Sequence, residues 1–390
     1  MIAYHLYALA LISTVLGLAA VRRCSLYSPL VINAMVWLVV FIMGLLFHER
    51  FYQLQEKAFI AWLIWFMVTS MIFFLLYPSR AKSTWVGTET RRIPMDYTLP
   101  LLLLIVWLGY RIWIVGSTGP EDFFLNLRWS SLGAEGFVSY GLIRRFYPII
   151  FALFLFEHVY ARRENRRLRL ILWFWMLLYA VSTMGKIQIL LLVLSWVIIQ
   201  GMKGKMNVKR IVIPAAVVSV LMMFNHLIRG GLSYASTIED FLALYVYSPL
   251  VAFGYMDIDR SMPLGAYPFR FLYVIGNILG IAPQPVSNIT PYVEVPISTN
   301  VYTIMHLFYY DFGMLGVLLH AVVYGIIFSC LYLLSVKRGG LWLVLFSGYS
   351  IVLVGQFIVD LLITTFSGNL QFLIYASAVF LVSRRVCYVR

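Results

Sequence analysis

Residues 313–336 read GMLGVLLHAVVYGIIFSCLYLLSV, a run that contains no Asp, Glu, Lys or Arg. About 20 apolar residues in an α-helix cross the ~30 Å hydrocarbon layer of a bilayer. We therefore predict that this run is a transmembrane helix. Lys337 and Arg338 follow it directly and mark one of its ends as facing the cytoplasm.

Ten further apolar runs of similar length precede or follow this one. The chain has 390 residues, of which 62% are hydrophobic and 12% are charged, and its mean hydropathy is +0.88. A soluble domain carries about 25% charged residues. The sequence therefore predicts an all-α polytopic membrane protein with about eleven (10–12) transmembrane helices. The other ten predicted spans are 2–21, 28–47, 58–77, 98–115, 146–161, 170–184, 187–202, 211–228, 341–359 and 366–383.

Charge in the loops between these runs is unequal on the two sides. One set of alternate loops holds 20 of the 30 basic residues but only 4 of the 16 acidic residues. Basic loops stay in the cytoplasm, so this set, which includes the C-terminus, is predicted to be cytoplasmic. The net charge of +14 belongs to these short loops, and we expect no nucleic-acid binding.

Two loops on the opposite side are long. The first covers 116–145 and is rich in Gly, which allows a backbone to approach a ligand closely. The second covers 229–312. It divides the chain into eight predicted spans within 1–228, this outer loop, and three spans within 313–390. In the loop we expect a short amphipathic helix that starts at Ile238 and ends near Pro249.

Two further segments of the long loop have distinct patterns. Residues 268–279 are apolar nearly all round but too short to span, which is typical of an interfacial or re-entrant helix. Four prolines then favour an extended path. Residues 300–311 are predicted to be helical, with Asn300, Thr303 and Asp311 on one side.

Basic residues on the same predicted outer side are candidates for binding a polyanion. Arginine presents a planar fork of donors that matches phosphate oxygens. A lipid-linked diphosphate would lie at this depth, with its tail in the bilayer. The alternative is that these side chains only extend to the interface or pair with nearby acids. The diphosphate-binding candidates are Arg128, Arg145, Lys186, Arg229 and Arg270.

Three residues near the end of the long loop could accept a proton from a hydroxyl group. They are Asp311, Glu294 and His306. Each also has a structural interpretation, namely a helix cap for Asp311, a packed polar residue for His306 and a solvated carboxylate for Glu294. The Asp257–Asp259 pair is too short a pattern to predict a metal site, and we expect no metal and no cofactor.

Two motifs beside these residues resemble a known family. Ser298 to Thr303 and Tyr309 to Gly316 are similar to segments of the oligosaccharide repeat-unit polymerases of bacterial surface polysaccharides, the Wzy-type O-antigen polymerases. Ser182 to Lys186 and Arg229 to Gly231 also look similar. The many helices and two long outer loops match the family's general pattern.

The resemblance implies a reaction and a location. It implies a metal-independent glycosyltransferase, inverting or retaining, with a helical bundle of the lipid-using (GT-C-like) type. A growing glycan would pass from undecaprenyl diphosphate to the terminal sugar of a new lipid-linked unit. The site would lie on the periplasmic side of the bacterial inner membrane, with a chain-length regulator and a flippase as partners. Sugar contacts are expected from Asn300, Tyr302, Thr303 and Tyr309.

Two other functions stay open from the sequence. A transporter or flippase of lipid-linked sugars would need charged residues within the spans, and the apolar runs contain almost none. A membrane acyltransferase acting on polysaccharide would need a buried catalytic His, for which His306 and His226 are candidates.

Overall fold

The structure of the chain is a computed structural model. It describes residues 2–78, 91–160, 165–204, 216, 220, 243–257, 263–287, 290–296 and 298–385. The helices in these residues are α1 (Ile2–Val21), α2 (Pro29–Phe47), α3 (Glu56–Leu75), α4 (Thr98–Thr118), α5 (Phe123–Leu132), α6 (Tyr147–Val159), α7 (Arg166–Thr183), α8 (Lys186–Met202), α9 (Ser248–Tyr255), α10 (Arg270–Ile278), α11 (His306–Arg338), α12 (Gly340–Gly355) and α13 (Phe366–Val382).

Short elements complete this part of the chain. His48–Arg50 and Gly141–Phe146 are 3₁₀ helices. Strand β1 (Arg91–Arg92) pairs antiparallel with β4 (Arg384–Arg385). Strand β2 (Val293–Glu294) pairs antiparallel with β3 (Ser298–Thr299), with Glu294 opposite Ser298.

Local sequence explains where several helices begin, end or bend. The Ser28 hydroxyl accepts a hydrogen bond from the Val31 amide at 3.4 Å, and Pro29 occupies the first turn of α2, where its missing amide hydrogen costs nothing. Helix α5 ends at Gly133, whose φ of 75° is left-handed. Inside α11, Gly313 has φ 60° and ψ −145°, a backbone conformation open to glycine almost alone, and the helix kinks there.

Five helices of the described residues are long and apolar enough to cross a membrane, as an all-α membrane protein requires. They are Ile2–Val21, Pro29–Arg50, Glu56–Leu75, Thr98–Thr118 and His306–Arg338. Shorter apolar helices are Ile187–Met202, Gly340–Gly355 and Phe366–Val382.

The prediction of about eleven spans is therefore not supported. The runs at 146–161, 341–359 and 366–383 form helices of only 13, 16 and 17 residues, shorter than the ~20 residues that cross a bilayer. One reason is that an apolar run in the sequence can extend beyond the end of its helix into turns. Helix α12, for example, ends at Gly355, and the apolar residues after it form turns. The run at 211–228 lies outside the described residues.

The long loop agrees with its prediction in some parts and differs in others. Residues 243–246 are helical and Tyr247 is a turn, so a helix ends just before Pro249 as predicted, whereas its predicted start at Ile238 lies outside the described residues. Pro249 itself lies in the first turn of the next helix, α9, where proline is well tolerated. Helix α10 confirms the predicted short helix within 268–279. Residues 300–303 are not helical, because α11 begins only at His306. Asn300 and Thr303 therefore do not share a helix face with Asp311.

The first of two compact units comprises Met1–Ala81, Tyr234–Leu333 and Val352–Ser367. Its core contains large buried aromatic side chains, including Trp37, Trp62 and Trp65. Helix α1 reaches the 243–257 segment through His5, whose Nε2 lies 2.8 Å from the Tyr247 hydroxyl. Gly44 leaves room for the His5 and Tyr247 rings, because a Cβ at this position would lie 2.8 Å from the first ring and 2.4 Å from the second.

The second unit comprises Lys82–Ser233, Leu334–Ile351 and Gly368–Arg390. Helices α4 to α8 pack around buried residues such as Phe154 and Trp175. The loop after α5 is tied to the end of α7, because the Ser131 hydroxyl donates to the Thr183 carbonyl at 3.0 Å and Tyr140 donates to the Ser182 carbonyl. Arg91 lies over the Phe380 ring, 3.9 Å from its centroid.

Candidate functional site

The start of α11 gathers several of the predicted site residues in the first unit. The Tyr302 and His306 rings are 5.5 Å apart, and the His306 and Tyr310 rings are 6.4 Å apart. Tyr310 stacks on Tyr267 at 4.7 Å, and the Tyr267 amide bonds to Asp311. We call these five residues the rim cluster. The cluster links the two candidate bases His306 and Asp311 through two tyrosines.

The tautomer of His306 follows from its hydrogen bond. Its Nδ1 lies 2.8 Å from the Thr303 carbonyl oxygen, and the ring is buried with 3% exposure. A carbonyl oxygen only accepts, so Nδ1 carries the hydrogen and Nε2 keeps its lone pair. The turn at Thr303 thus fixes the tautomer in which Nε2 has a lone pair that can accept a hydrogen bond.

Asp311 has a role that the sequence did not suggest. It lies in the second turn of α11 and is not an N-cap. Its Oδ2 accepts a hydrogen bond from the Tyr267 amide at 3.1 Å. The carboxylate is half-buried and holds the turn before α10 against α11.

The tyrosine and threonine beside His306 are buried. The Tyr302 hydroxyl donates to the Pro291 carbonyl at 2.7 Å, and the side chain is 1% exposed. Burial, with a smaller effect of the Asp257 carboxylate, raises the pKa of Tyr302 to about 12. Thr303 is fully buried, and its hydroxyl has no hydrogen-bond partner among the described residues. Tyr302 and Thr303, which were predicted to contact sugar, are therefore packed inside the 300–305 segment and are not exposed to solvent.

The remaining predicted sugar contacts are more accessible. Asn300 is half-buried, and its carbonyl accepts a hydrogen bond from the Thr290 hydroxyl at 2.6 Å. The half-buried Tyr309 ring packs against Phe253, with centroids 5.0 Å apart. The Lys57 Nζ lies 5.9 Å from the Tyr309 ring centroid.

Glu294 and Arg270 are the two remaining predicted site residues of the first unit, and they lie on β2 and α10. Glu294 lies on β2 with an exposed side chain. Arg270 begins α10, is half-buried, and donates from Nε to the Val286 carbonyl at 2.7 Å. This bond fixes the guanidinium between α10 and the extended segment after it. The described residues contain no group of three side chains suited to hold a metal ion.

The other diphosphate-binding candidates lie elsewhere in the chain. Arg128 is half-buried on α5, Arg145 is exposed in the 3₁₀ helix before α6, and Lys186 begins α8. All three belong to the second unit, whereas Arg270 and the candidate bases belong to the first. Arg229 lies outside the described residues.

The first unit also contains a buried histidine–carboxylate pair that is not among the predicted site residues. His320 of α11 and Asp360, after α12, are 1% and 0% exposed, and His320 Nε2 lies 3.6 Å from Asp360 Oδ2. Asp360 Oδ1 accepts hydrogen bonds from the Leu362 and Ile363 amides at 2.9 and 3.0 Å. A signal is present in the sequence, because Asp360 stands between apolar residues, but the predicted topology places it in an outer loop.

A buried glutamine lies near this pair in the same unit. The Gln356 side-chain oxygen accepts from the indole nitrogens of Trp37 and Trp65 at 3.2 and 2.9 Å. Its backbone carbonyl accepts from the Ile304 amide at 2.8 Å. The Trp65 ring also contacts His320, with centroids 5.0 Å apart. Gln356 therefore connects the segment before His306 to α2 and α3.

Comparison of the chain with known protein families, with curated proteins and with solved structures finds no match.

Proposed function

We propose that this chain polymerises lipid-linked oligosaccharide repeat units. The growing glycan passes from undecaprenyl diphosphate to the terminal sugar of a second lipid-linked unit, as in the synthesis of O-antigen or a similar surface polysaccharide. The observation that carries the proposal is the rim cluster. It joins a histidine with a free Nε2 lone pair and a half-buried carboxylate at the start of a long apolar helix.

The reaction needs one base and one stabilised leaving group. A hydroxyl oxygen of the acceptor sugar attacks the anomeric carbon of the donor, and its proton passes to Asp311 or to His306 Nε2. The bond from the anomeric carbon to the diphosphate oxygen breaks, and the diphosphate leaves with the electron pair. A positioned base contributes about 10²–10⁴-fold to such a step.

The diphosphates carry the negative charge that the basic candidates would neutralise. We assign this role to Arg270 in the first unit and to Arg128, Arg145, Lys186 and Arg229. Each donor aimed at the developing charge is worth about 10²–10³ in rate. The polymerase would be a metal-independent glycosyltransferase of the GT-C-like type, with its site on the periplasmic side of the inner membrane. A chain-length regulator and a flippase would work beside it.

The test uses cells that lack the gene for this chain and make the lipid-linked repeat unit. Complementation with the wild-type chain should restore long polysaccharide, seen as a ladder on a gel. Asp311→Asn and Arg229→Ala should each abolish the ladder at unchanged protein level, and His306→Gln should reduce it at least tenfold.

Exposed Arg144 supplies a matched control, because Arg144→Ala removes a cation of the same loop as Arg145 without removing an assigned residue. The ladder should persist in this variant. Full-length chains from both Asp311→Asn and Arg229→Ala would refute the assignment of these residues.

One observation favours a second candidate, a transporter or flippase of lipid-linked oligosaccharides. Ionisable residues buried within a membrane bundle commonly mark transport pathways, and His320 and Asp360 are such a pair. Purified protein in vesicles with lipid-linked repeat units separates the candidates. Lengthening of the glycan supports the polymerase, translocation without lengthening supports the flippase, and acylation of the glycan would support the acyltransferase.

A further inference from the structure

A polar cavity opens in the first unit, next to Tyr309 of α11. Its volume is about 470 Å³, and it is lined by Tyr4 of α1, residues 53–57 before and at the start of α3, and Tyr255 at the end of α9. None of the predicted site residues belongs to this lining. The cavity is large enough for one or two sugar rings.

The lining combines aromatic rings with hydrogen-bonding groups. Tyr4 and Tyr255 contribute rings, Gln53 and Gln55 contribute amides, and Glu56 contributes a carboxylate. A sugar presents C–H groups on its faces and hydroxyl groups at its edges. Tyrosine rings suit the faces, and side chains that both donate and accept suit the hydroxyls. Binding pockets typically place a few such polar groups around a concave surface.

Contacts within the lining hold its side chains in place. The Tyr255 hydroxyl donates to the Gln53 carbonyl at 3.1 Å, and the Tyr255 ring lies 5.5 Å from the Tyr52 ring. Lys57 donates from Nζ to the Met256 carbonyl at 3.2 Å. Tyr4 stacks on Phe59 of α3 at 4.6 Å. The cavity wall is therefore formed before any ligand arrives, which lowers the entropic cost of binding.

Residues of the cavity lie close to Tyr309, which precedes Tyr310 of the rim cluster on α11. Lys57, which lines the cavity, lies 5.9 Å from the Tyr309 ring. Phe253 of α9, two residues before Tyr255, packs on the same ring at 5.0 Å. A glycan held in the cavity could thus extend toward His306 and Asp311.

We infer that this cavity is a saccharide-binding subsite that holds a sugar of the repeat unit, and this inference rests on the proposed polymerase function for the identity of the glycan. The lining carries one carboxylate and one ammonium, and the Lys57 ammonium already donates to the Met256 carbonyl. An uncharged sugar therefore suits the cavity better than a uronic acid, whose carboxylate Glu56 would repel. Tyr255 supplies the ring against which the sugar packs, and Glu56 accepts hydrogen bonds from its hydroxyls.

Two measurements on purified full-length protein in nanodiscs test the subsite. The first is binding of the repeat-unit oligosaccharide released from its lipid by mild acid. The second is the rate of glycan lengthening as the concentration of the lipid-linked repeat unit is varied. Tyr255→Ala and Glu56→Ala should each weaken oligosaccharide binding and raise KM about tenfold, with kcat changed by less than twofold. Tyr255→Phe, which keeps the ring, should retain wild-type binding.

Controls separate loss of the subsite from loss of the fold. Tyr7→Ala removes a tyrosine that is 69% exposed on α1 and does not line the cavity, and it should bind and lengthen like the wild type. Gln55→Ala provides a further cavity variant if Tyr255→Ala does not fold.

The two proposals can fail separately. If the wild type binds the oligosaccharide and the cavity variants do not, the subsite stands even when no lengthening is seen, and the polymerase function is then wrong. If the wild type lengthens the glycan and the cavity variants match it in binding and KM, the subsite is wrong. A wild type that does not bind the oligosaccharide also overturns the subsite.

Discussion

Single side chains in this protein show how burial changes what a residue can do. The His306 imidazole is oriented by one hydrogen bond to the carbonyl of Thr303 in the preceding turn, which selects its tautomer. Tyr302, by contrast, uses its hydroxyl to close the loop onto Pro291. Residues 302–306 therefore contain one side chain with a ring nitrogen that makes no hydrogen bond to the described residues and one side chain whose hydroxyl holds the loop. Residue type alone does not distinguish these roles.

The buried side chain of Asp360 gives a prediction at this scale. Asp360→Ala removes the oxygen that accepts hydrogen bonds from the Leu362 and Ile363 amides, and loss of the acceptor costs about 1–3 kcal/mol for each donor left unpaired. We expect a decrease of that size in the free energy of unfolding, measured by denaturant titration in mixed micelles. Asp360→Asn keeps an acceptor oxygen in the same place and should retain most of the stability.

The control for this substitution is His48→Leu. His48 is half-buried, and its ring bonds to the Leu45 carbonyl. Loss of this bond should cost about 1 kcal/mol. An equal cost for Asp360→Ala and His48→Leu would show that the Asp360 carboxylate contributes no more than one ordinary hydrogen bond.

The kink in helix α11 depends on the backbone conformation of one residue, Gly313. Gly313 separates the first turns, which carry His306 and Asp311, from the long apolar part that follows. A Cβ at this position would meet no heavy atom within 4 Å, so space does not require glycine there. The requirement is its φ of 60° combined with ψ of −145°.

Gly313→Ala should therefore be costly despite the open space around it. We expect a loss of about 1–3 kcal/mol in the free energy of unfolding, together with reduced polymerisation, because a straightened helix would shift the rim cluster. Thermal unfolding in detergent and the polysaccharide ladder provide the two measurements.

Two glycines of other helices are matched controls for this substitution. A Cβ added to Gly17 of α1 or to Gly109 of α4 would also meet no heavy atom within 4 Å, and neither glycine has a positive φ. Alanine favours a helix over glycine by roughly 1 kcal/mol, so Gly17→Ala and Gly109→Ala should be neutral or stabilising. Destabilisation of all three variants by equal amounts would contradict the role of the kink.

At the scale of the whole molecule, the charge pattern of the sequence predicts the same side of the membrane for three distant segments, the start of α1, the loop before α3 and the end of α9. In the structure these three segments line a single cavity through Tyr4, residues 53–57 and Tyr255. The same charge pattern predicts that basic Arg384 faces the cytoplasm.

Cysteine labelling tests this arrangement. In a chain without its three native cysteines, Gln53→Cys and Asp257→Cys should both react with a membrane-impermeant maleimide added to intact spheroplasts. Arg384→Cys should react only after the membrane is permeabilised, which also serves as the control for its reactivity. Labelling of only one of the first two positions in intact spheroplasts would contradict a shared face.

The sequence predicted some features of the fold better than others, for physical reasons. Predicted span limits agree where a proline or a side-chain hydrogen bond marks the start of a helix, as at Pro29 and at Thr98, whose amide donates to Asp96 Oδ1 at 2.9 Å. Among the described residues, fewer helices than predicted are long enough to cross a membrane, because hydropathy does not distinguish a helix from an apolar turn such as the one after Gly355. The rim cluster combines Tyr302, Tyr310 and Asp311 of the quoted motifs with His306, which lies between the motifs, and with Tyr267. That partner, like the pairing of His320 with Asp360, depends on tertiary contacts between distant segments.

The hydrogen bond from Ile304 to Gln356 has a consequence beyond holding a loop. The side chain of the same glutamine accepts from two indoles on separate helices. Any displacement of residues 300–305 must strain or break the hydrogen bond from the Ile304 amide to the Gln356 carbonyl. Movement of this segment is thereby coupled to the glutamine side chain that Trp37 and Trp65 contact in the core of the first unit.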